Sequence, residues 1–323
     1  MNFLILSLLG MLLSFILVFF TMIPYIDALK RHNINQEVSE YALDEYKAKA
    51  KTPIMGGLLF VVIPVFVYLL INFRAIHDAD TVMVLVSYSL FCLVGFLDDL
   101  LIILRRDNEG LSPKTKLIME FVFVLLIFLA FRDSLSFQID VPFINGGISL
   151  HWVLFLPLMI LMYLGEANAV NFTDGMDGLC AGVSLIGLLG FAVFTYVGKA
   201  ENLFILIACI IGGLVAYLCY NRYPAKIFMG DSGSLALGGL FAGLALATNK
   251  EIALLFIGGV FLIEMFCVCL QLSWVKLFKK RILPYTPIHY AFVIKGHKET
   301  TVVKGFYLAA IILTAIGIFI GLS

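Results

Sequence analysis

The sequence predicts an all-α, polytopic integral membrane protein with about ten transmembrane helices and both termini extracytoplasmic. Three observations lead there. Of the 323 residues, 62% are hydrophobic and 14% are charged, and the mean hydropathy is +1.03, well above what a water-exposed domain carries. Apolar segments long enough for a helix to cross the ~30 Å hydrocarbon layer recur along the whole chain. Lys and Arg are also concentrated in alternate connections between those segments.

In order, the apolar segments are 2–23, 54–73, 81–97, 117–131, 151–167, 179–198, 202–220, 234–248, 252–275 and 302–322. The first has neither a basic leader nor a small-residue cleavage site, and it reads as a membrane helix rather than a removable signal. The fourth and eighth are short. The connections at 24–53, 98–116, 168–178, 221–233 and 276–304 hold 18 of the 22 Lys and Arg. Only Arg74, Arg132, Lys199 and Lys250 lie in the alternate set. The positive-inside rule therefore puts the first set in the cytoplasm. One outer connection, "RDSLSFQIDVPFINGGISL" at 132–150, alternates polar and apolar residues before Asn-Gly-Gly, the pattern of a small hairpin. No repeat or soluble domain interrupts the series, so 1–323 reads as a single membrane-embedded domain whose site is built from cytoplasmic loops and helix ends.

Composition also excludes function classes. Basic and acidic residues balance at 22 each, leaving no positive excess for nucleic acid. The six cysteines (Cys92, Cys180, Cys209, Cys219, Cys267, Cys269) show no CxxC and no zinc-type grouping, and read as structural thiols.

Sorted by this topology, the polar stretches all fall on one side. "GFLDD" supplies Asp98 and Asp99, "NAVNFTDGMDG" supplies Asn171, Asp174 and Asp177, and "NRYPAKIFMGDSGS" supplies Asn221, Lys226 and Asp231. The last inner connection, "PYTPIHYAFVIKGHKE", supplies His289. Crowded carboxylates repel one another unless a cation neutralises them, and hard oxygen donors suit Mg2+ or Mn2+. Mg2+ takes one or two carboxylates and completes its shell with substrate phosphate, so a diphosphate is the natural ligand. Lys51, Lys114, Lys116 and Lys226 supply the positive charge it needs. Taken singly, each motif is equally a turn or a solvated helix end. "DGMDG" lacks the ligand spacing of a calcium loop, and "GDSGS" lacks the GK[ST] ending of a P-loop. "GDSGS" also resembles a serine-protease nucleophile stretch, but it lies between membrane helices. Glu166 and Glu264 fall in or near apolar segments, where a carboxylate is a functional hypothesis by default, although Glu264 has the alternative of pairing within the bundle.

Six motifs, in order, carry a family resemblance: "TPIMGG" at 52–57, "GFLDD" at 95–99, "LSPKTK" at 111–116, "NAVNFTDGMDGL" at 168–179, "NRYPAKIFMGDSGSL" at 221–235 and "TPIHYAFVIKGHKE" at 286–299. Over nearly its whole length the chain resembles the polyprenyl-phosphate N-acetylhexosamine-1-phosphate transferases. "FVIKGHKE" tracks the "FELKGWPE" of the muramoyl branch, against relatives that take UDP-N-acetylglucosamine. The resemblance implies transfer of phospho-N-acetylmuramoyl-pentapeptide from UDP-MurNAc-pentapeptide to undecaprenyl phosphate. The products would be lipid I, for peptidoglycan synthesis, and UMP, with Mg2+ as cofactor. The place would be the cytoplasmic face of the bacterial inner membrane. It implies that Asp98, Asp99 and Asp231 form the metal and catalytic acidic set, with Asn171, Asp174, His289 and Lys116 beside them. Lys51 and Asn221 match substrate-binding positions. Asp177, Phe228 and Gln271 match positions that hold the uridine, with Phe228 stacking. The family writes three histidines where this chain has His289, Tyr290 and Ala291. Membrane lipid is the surrounding partner, and the resemblance suggests a homodimer. Two alternatives stand: an N-acetylglucosamine-1-phosphate transferase, and, from another class, a secondary transporter. Transporter sites lie near the bilayer midplane, whereas these acids gather at cytoplasmic helix ends.

Overall fold

The computed structural model describes residues 2–32, 34, 49, 52–105, 110–144 and 146–323. Among them are twelve α-helices: α1 (Phe3–Arg31), α2 (Gly57–Ile71), α3 (Ala79–Arg105), α4 (Pro113–Phe131), α5 (Trp152–Thr173), α6 (Leu179–Val197), α7 (Glu201–Asn221), α8 (Asp231–Thr248), α9 (Glu251–Ile257), α10 (Gly259–Phe278), α11 (Ile288–Ile294) and α12 (Glu299–Leu322). Every apolar segment falls on a helix, and the ninth is divided at Gly258 into α9 and α10. Eight of the helices are long and apolar enough to cross a membrane. The protein is thus an all-α, multi-pass membrane protein. α2 is short at 15 residues, and α4 carries Lys114, Lys116 and Glu120 in its first half.

Helices outlast the apolar runs that mark them. α3 continues through Asp98 and Asp99 to Arg105, and α5 keeps Asn168 and Asn171 helical to Thr173. Asp231 is the first residue of α8. The polar residues read as loop are therefore largely helix-borne, because backbone hydrogen bonding does not stop where hydropathy falls. The expected hairpin is present as β1 (Gln138–Ile139) and β2 (Ile148–Ser149), antiparallel, with Gln138 opposite Ser149.

The core is organised around α8. Its sequence, "DSGSLALGGLFAGLALAT", is rich in Gly, Ala and Ser, and nearly every side chain is buried. Small residues let backbones approach closely where hydrophobicity supplies no force between helices. At Gly95 of α3 a Cβ would fall on the main chain of Asp231, and Gly57 of α2 meets Gly233 in the same way. These approaches bring α2 and α3 against the first turn of α8, where the polar residues gather.

Candidate active site

Asp99 follows Gly95 by one helical turn and so faces the same neighbour. Its Oδ1 accepts the amide of Asp231 at 3.0 Å and its Oδ2 that of Ser232 at 3.0 Å, satisfying the first donors of α8. Gly230 precedes them with φ 75°, and a Cβ there would lie 2.7 Å from Asp99 Oδ2, so glycine is required twice over. Asp98 accepts the Leu111 amide at Oδ1, 2.8 Å away, which ties the connection before α4 to α3. That connection ends in an N-cap: Ser112 accepts the Thr115 amide at 3.1 Å, with Pro113 in the first turn. The cap fixes the start of α4 and thereby Lys116, whose ammonium donates to Asp231 Oδ2. The other oxygen of Asp231 accepts Asn171 Nδ2 at 2.7 Å, and the same amide reaches Ser234 Oγ at 2.9 Å.

Asp98, Asp99 and Asp231 each bring a carboxylate oxygen within 4.8 Å of the others. Three acids with one paired lysine form a hard, oxygen-only donor set, which fits a small divalent cation. Asp174 caps the end of α5. Burial, then Asp231 and Asp99, push its carboxyl up to about 8.

A second cluster lies along the same connections. Lys49 donates to Asp177 Oδ1 at 2.6 Å and to Glu299 Oε1 at 2.8 Å. Asp177 accepts the Ala225 amide at 2.9 Å, and its own amide goes to Glu299 Oε1 at 2.9 Å. Asn221 bridges the Gly178 amide (3.0 Å) and the Ile227 carbonyl (2.9 Å). Phe228, half-buried, gives its amide to the Pro53 carbonyl and takes that of Gly56, both at 2.8 Å, so "TPIMGG" lies zipped beside it. Gln271 stands apart from these contacts: its Oε1 accepts the amides of Ile282 and Leu283 at 3.1 and 3.0 Å. His289 is fully buried against Glu264, behind the Asp174–Gly175 turn. Lys51 lies outside the described residues. Lys49, two positions before it in "KAKAK", is the lysine on Asp177, and nothing local in that alternating stretch separates the two. Glu299 went unread because a lone Glu after a basic stretch looks like a solvated helix start. Glu120 is also fully buried, and it accepts Asn168 Nδ2 at 2.9 Å beside Lys116.

Residues 81–249 match the family described as Glycosyl transferase family 4. Three relatives are named Phospho-N-acetylmuramoyl-pentapeptide-transferase. That of Staphylococcus saprophyticus is 36% identical over 98% of this chain and 99% of its own. That of Halalkalibacterium halodurans is 35% identical over 97% of each chain. That of Staphylococcus epidermidis is 35% identical over 95% of this chain and 97% of its own. The matched span holds α3 through α8, and with it the three clustered acids, Lys116 and Asn171. The chain therefore belongs to Glycosyl transferase family 4, among the phospho-N-acetylmuramoyl-pentapeptide-transferases.

Proposed function

We propose that this protein is a phosphoglycosyl transferase that moves phospho-N-acetylmuramoyl-pentapeptide from UDP-MurNAc-pentapeptide to undecaprenyl phosphate, forming lipid I and UMP. The observation that carries the reading is the acid cluster with its lysine, set at one end of the bundle in a chain that aligns end to end with enzymes of that name. The charge asymmetry of the connections favours the cytoplasmic face of the inner membrane for that end. There the soluble nucleotide sugar and the lipid phosphate both have access.

The nucleophile is already an anion, since a phosphate monoester has a second pKa near ~6. The barrier is therefore the approach of one anion to another, not the removal of a proton. Asp98, Asp99 and Asp231 would hold Mg2+, which when bound neutralises and aligns the diphosphate. Lys116, paired with Asp231, sets a positive charge beside the acids, where it would face the phosphates. Asn171 keeps Asp231 oriented through its own bond to Ser234. Asp99 has both oxygens committed to α8, whereas Asp98 makes a single main-chain bond. Asp98 is thus the member of the pair with the freer carboxylate to offer a ligand. Asp177 and Asn221, with the ring of Phe228, receive the uridine, and Gln271 acts at one remove by fixing the 282–283 main chain. An apolar groove of about 490 Å³ between α10, α11 and α12, lined by Ile263, Phe292 and Phe306 among others, offers a seat for the polyprenyl tail.

The test is UMP release by purified protein with undecaprenyl phosphate and Mg2+, comparing UDP-MurNAc-pentapeptide with UDP-N-acetylglucosamine. Release with the first donor alone is expected. Release only with the second assigns the chain another sugar, and release with neither overturns the transferase reading.

A further inference from the structure

Glu264 of α10 and His289 of α11 are each 0% exposed. One carboxylate there serves three donors. Its Oε2 accepts the Ile288 amide at 2.7 Å, and its Oε1 accepts the His289 amide at 3.2 Å and lies 3.1 Å from His289 Nδ1. Pro287 has no N–H, so these are the first two amides of α11, and Glu264 satisfies both. Both oxygens of Glu264 already act as acceptors for main-chain amides, so the hydrogen on this contact is assigned to Nδ1. Nε2 is then the nitrogen that takes or gives a proton. It is buried and has no hydrogen-bond partner among the described residues. It faces the main chain of Gly175, next to Asp174, where a Cβ would fall on it. Tyr290 holds the same turn, donating to the Gly175 carbonyl at 2.9 Å. Leaving a polar ring nitrogen unpaired in the interior costs on the order of 1–3 kcal/mol, a cost that a ligand arriving at that turn removes.

We propose that Glu264 is the positioning residue for His289. It fixes the ring's orientation and tautomer, so that Nε2 is presented to the Asp174–Gly175 turn as an acceptor for a hydroxyl hydrogen of the substrate. The identity of that hydroxyl rests on the transferase reading; the tautomer and its cause do not. A carboxylate behind a histidine, setting which nitrogen faces the chemistry, is the arrangement by which buried triads work.

The experiment is a double-mutant cycle on kcat for UMP release, using Glu264→Gln, His289→Gln and the pair, each checked by thermal melting. Each single change is expected to lower kcat by about 10²-fold, the usual contribution of a placed proton donor or acceptor, and the pair no further than His289→Gln alone. Losses that multiply would mean that Glu264 acts independently of His289 and would overturn the proposal, as would a Glu264→Gln enzyme of normal rate. A ¹⁵N-histidine NMR spectrum of the unaltered protein, with His289 assigned by its loss in His289→Gln, decides the matter if Glu264→Gln does not fold. Hydrogen on Nδ1 with a bare Nε2 is expected, and the opposite tautomer sinks the idea. That spectrum needs no turnover, so an inactive wild type would count against the transferase reading alone.

Discussion

Because both oxygens of Asp99 accept α8 amides, replacing this residue removes a helix cap together with an acid. Asp99→Ala is expected to cost about 2 kcal/mol of stability, at the upper end for a lost cap, and to abolish UMP release. Asp98→Asn should lose activity by 10²-fold or more, on the scale of an electrostatic catalytic group, with little change in melting temperature. Melting curves and UMP release on the same preparations separate the two. Asp174 gives a pH test. Its folded pKa of about 8 stands above the ordinary 3.8, so folding favours the protonated form, and wild-type stability falls as pH rises from about 4 to 8. Asp174→Asn removes that liability: with chelator present, its melting temperature should gain on wild type across this window and match it below pH 4. A chelator should also stop turnover, with Mg2+ restoring it. At this scale the sequence showed the acids, since charged residues stand out in an apolar chain. It did not show who holds whom: Asp99 as a cap, Lys49 on Asp177 and Glu264 on His289 are contacts between residues 24 or more positions apart.

Among the elements, the crossing of α3 and α8 sets the site. Gly95→Ala would drive a methyl group into the Asp231 main chain and is expected to cost about 1–3 kcal/mol through overpacking, with a large loss of activity. Gly305→Ala on α12 is the control. A Cβ there meets nothing within 4 Å, and the change should stabilise by a few tenths to about 1 kcal/mol. Comparing the two melting curves tests whether close approach, rather than helix propensity, is the reason for Gly95. The ten helical segments were legible because each is a long apolar run, whether it faces lipid or, like α8, the interior of the bundle. The break at Gly258 and the short α11 were not, since a one-residue interruption barely changes hydropathy and seven residues are too few to show a period.

For the molecule as a whole, the charge bias predicts both termini and the hairpin on one side and the acid cluster on the other. In a background lacking the exposed Cys219 and Cys269, Ser323→Cys is expected to react with a membrane-impermeant maleimide from outside, and Lys226→Cys only after permeabilisation. The reverse pattern would invert the assignment. Asp99 precedes its partner Asp231 by 132 residues, and Lys49 precedes Glu299 by 250. During synthesis α3 must wait through several further insertions before α8 brings Asp99 its amide donors. Because that pair follows the apolar run 81–97 and does not interrupt it, it waits without placing a charge in the middle of the span. The nucleotide end closes only when the first turn of α12 arrives, so an unfinished chain has no working site.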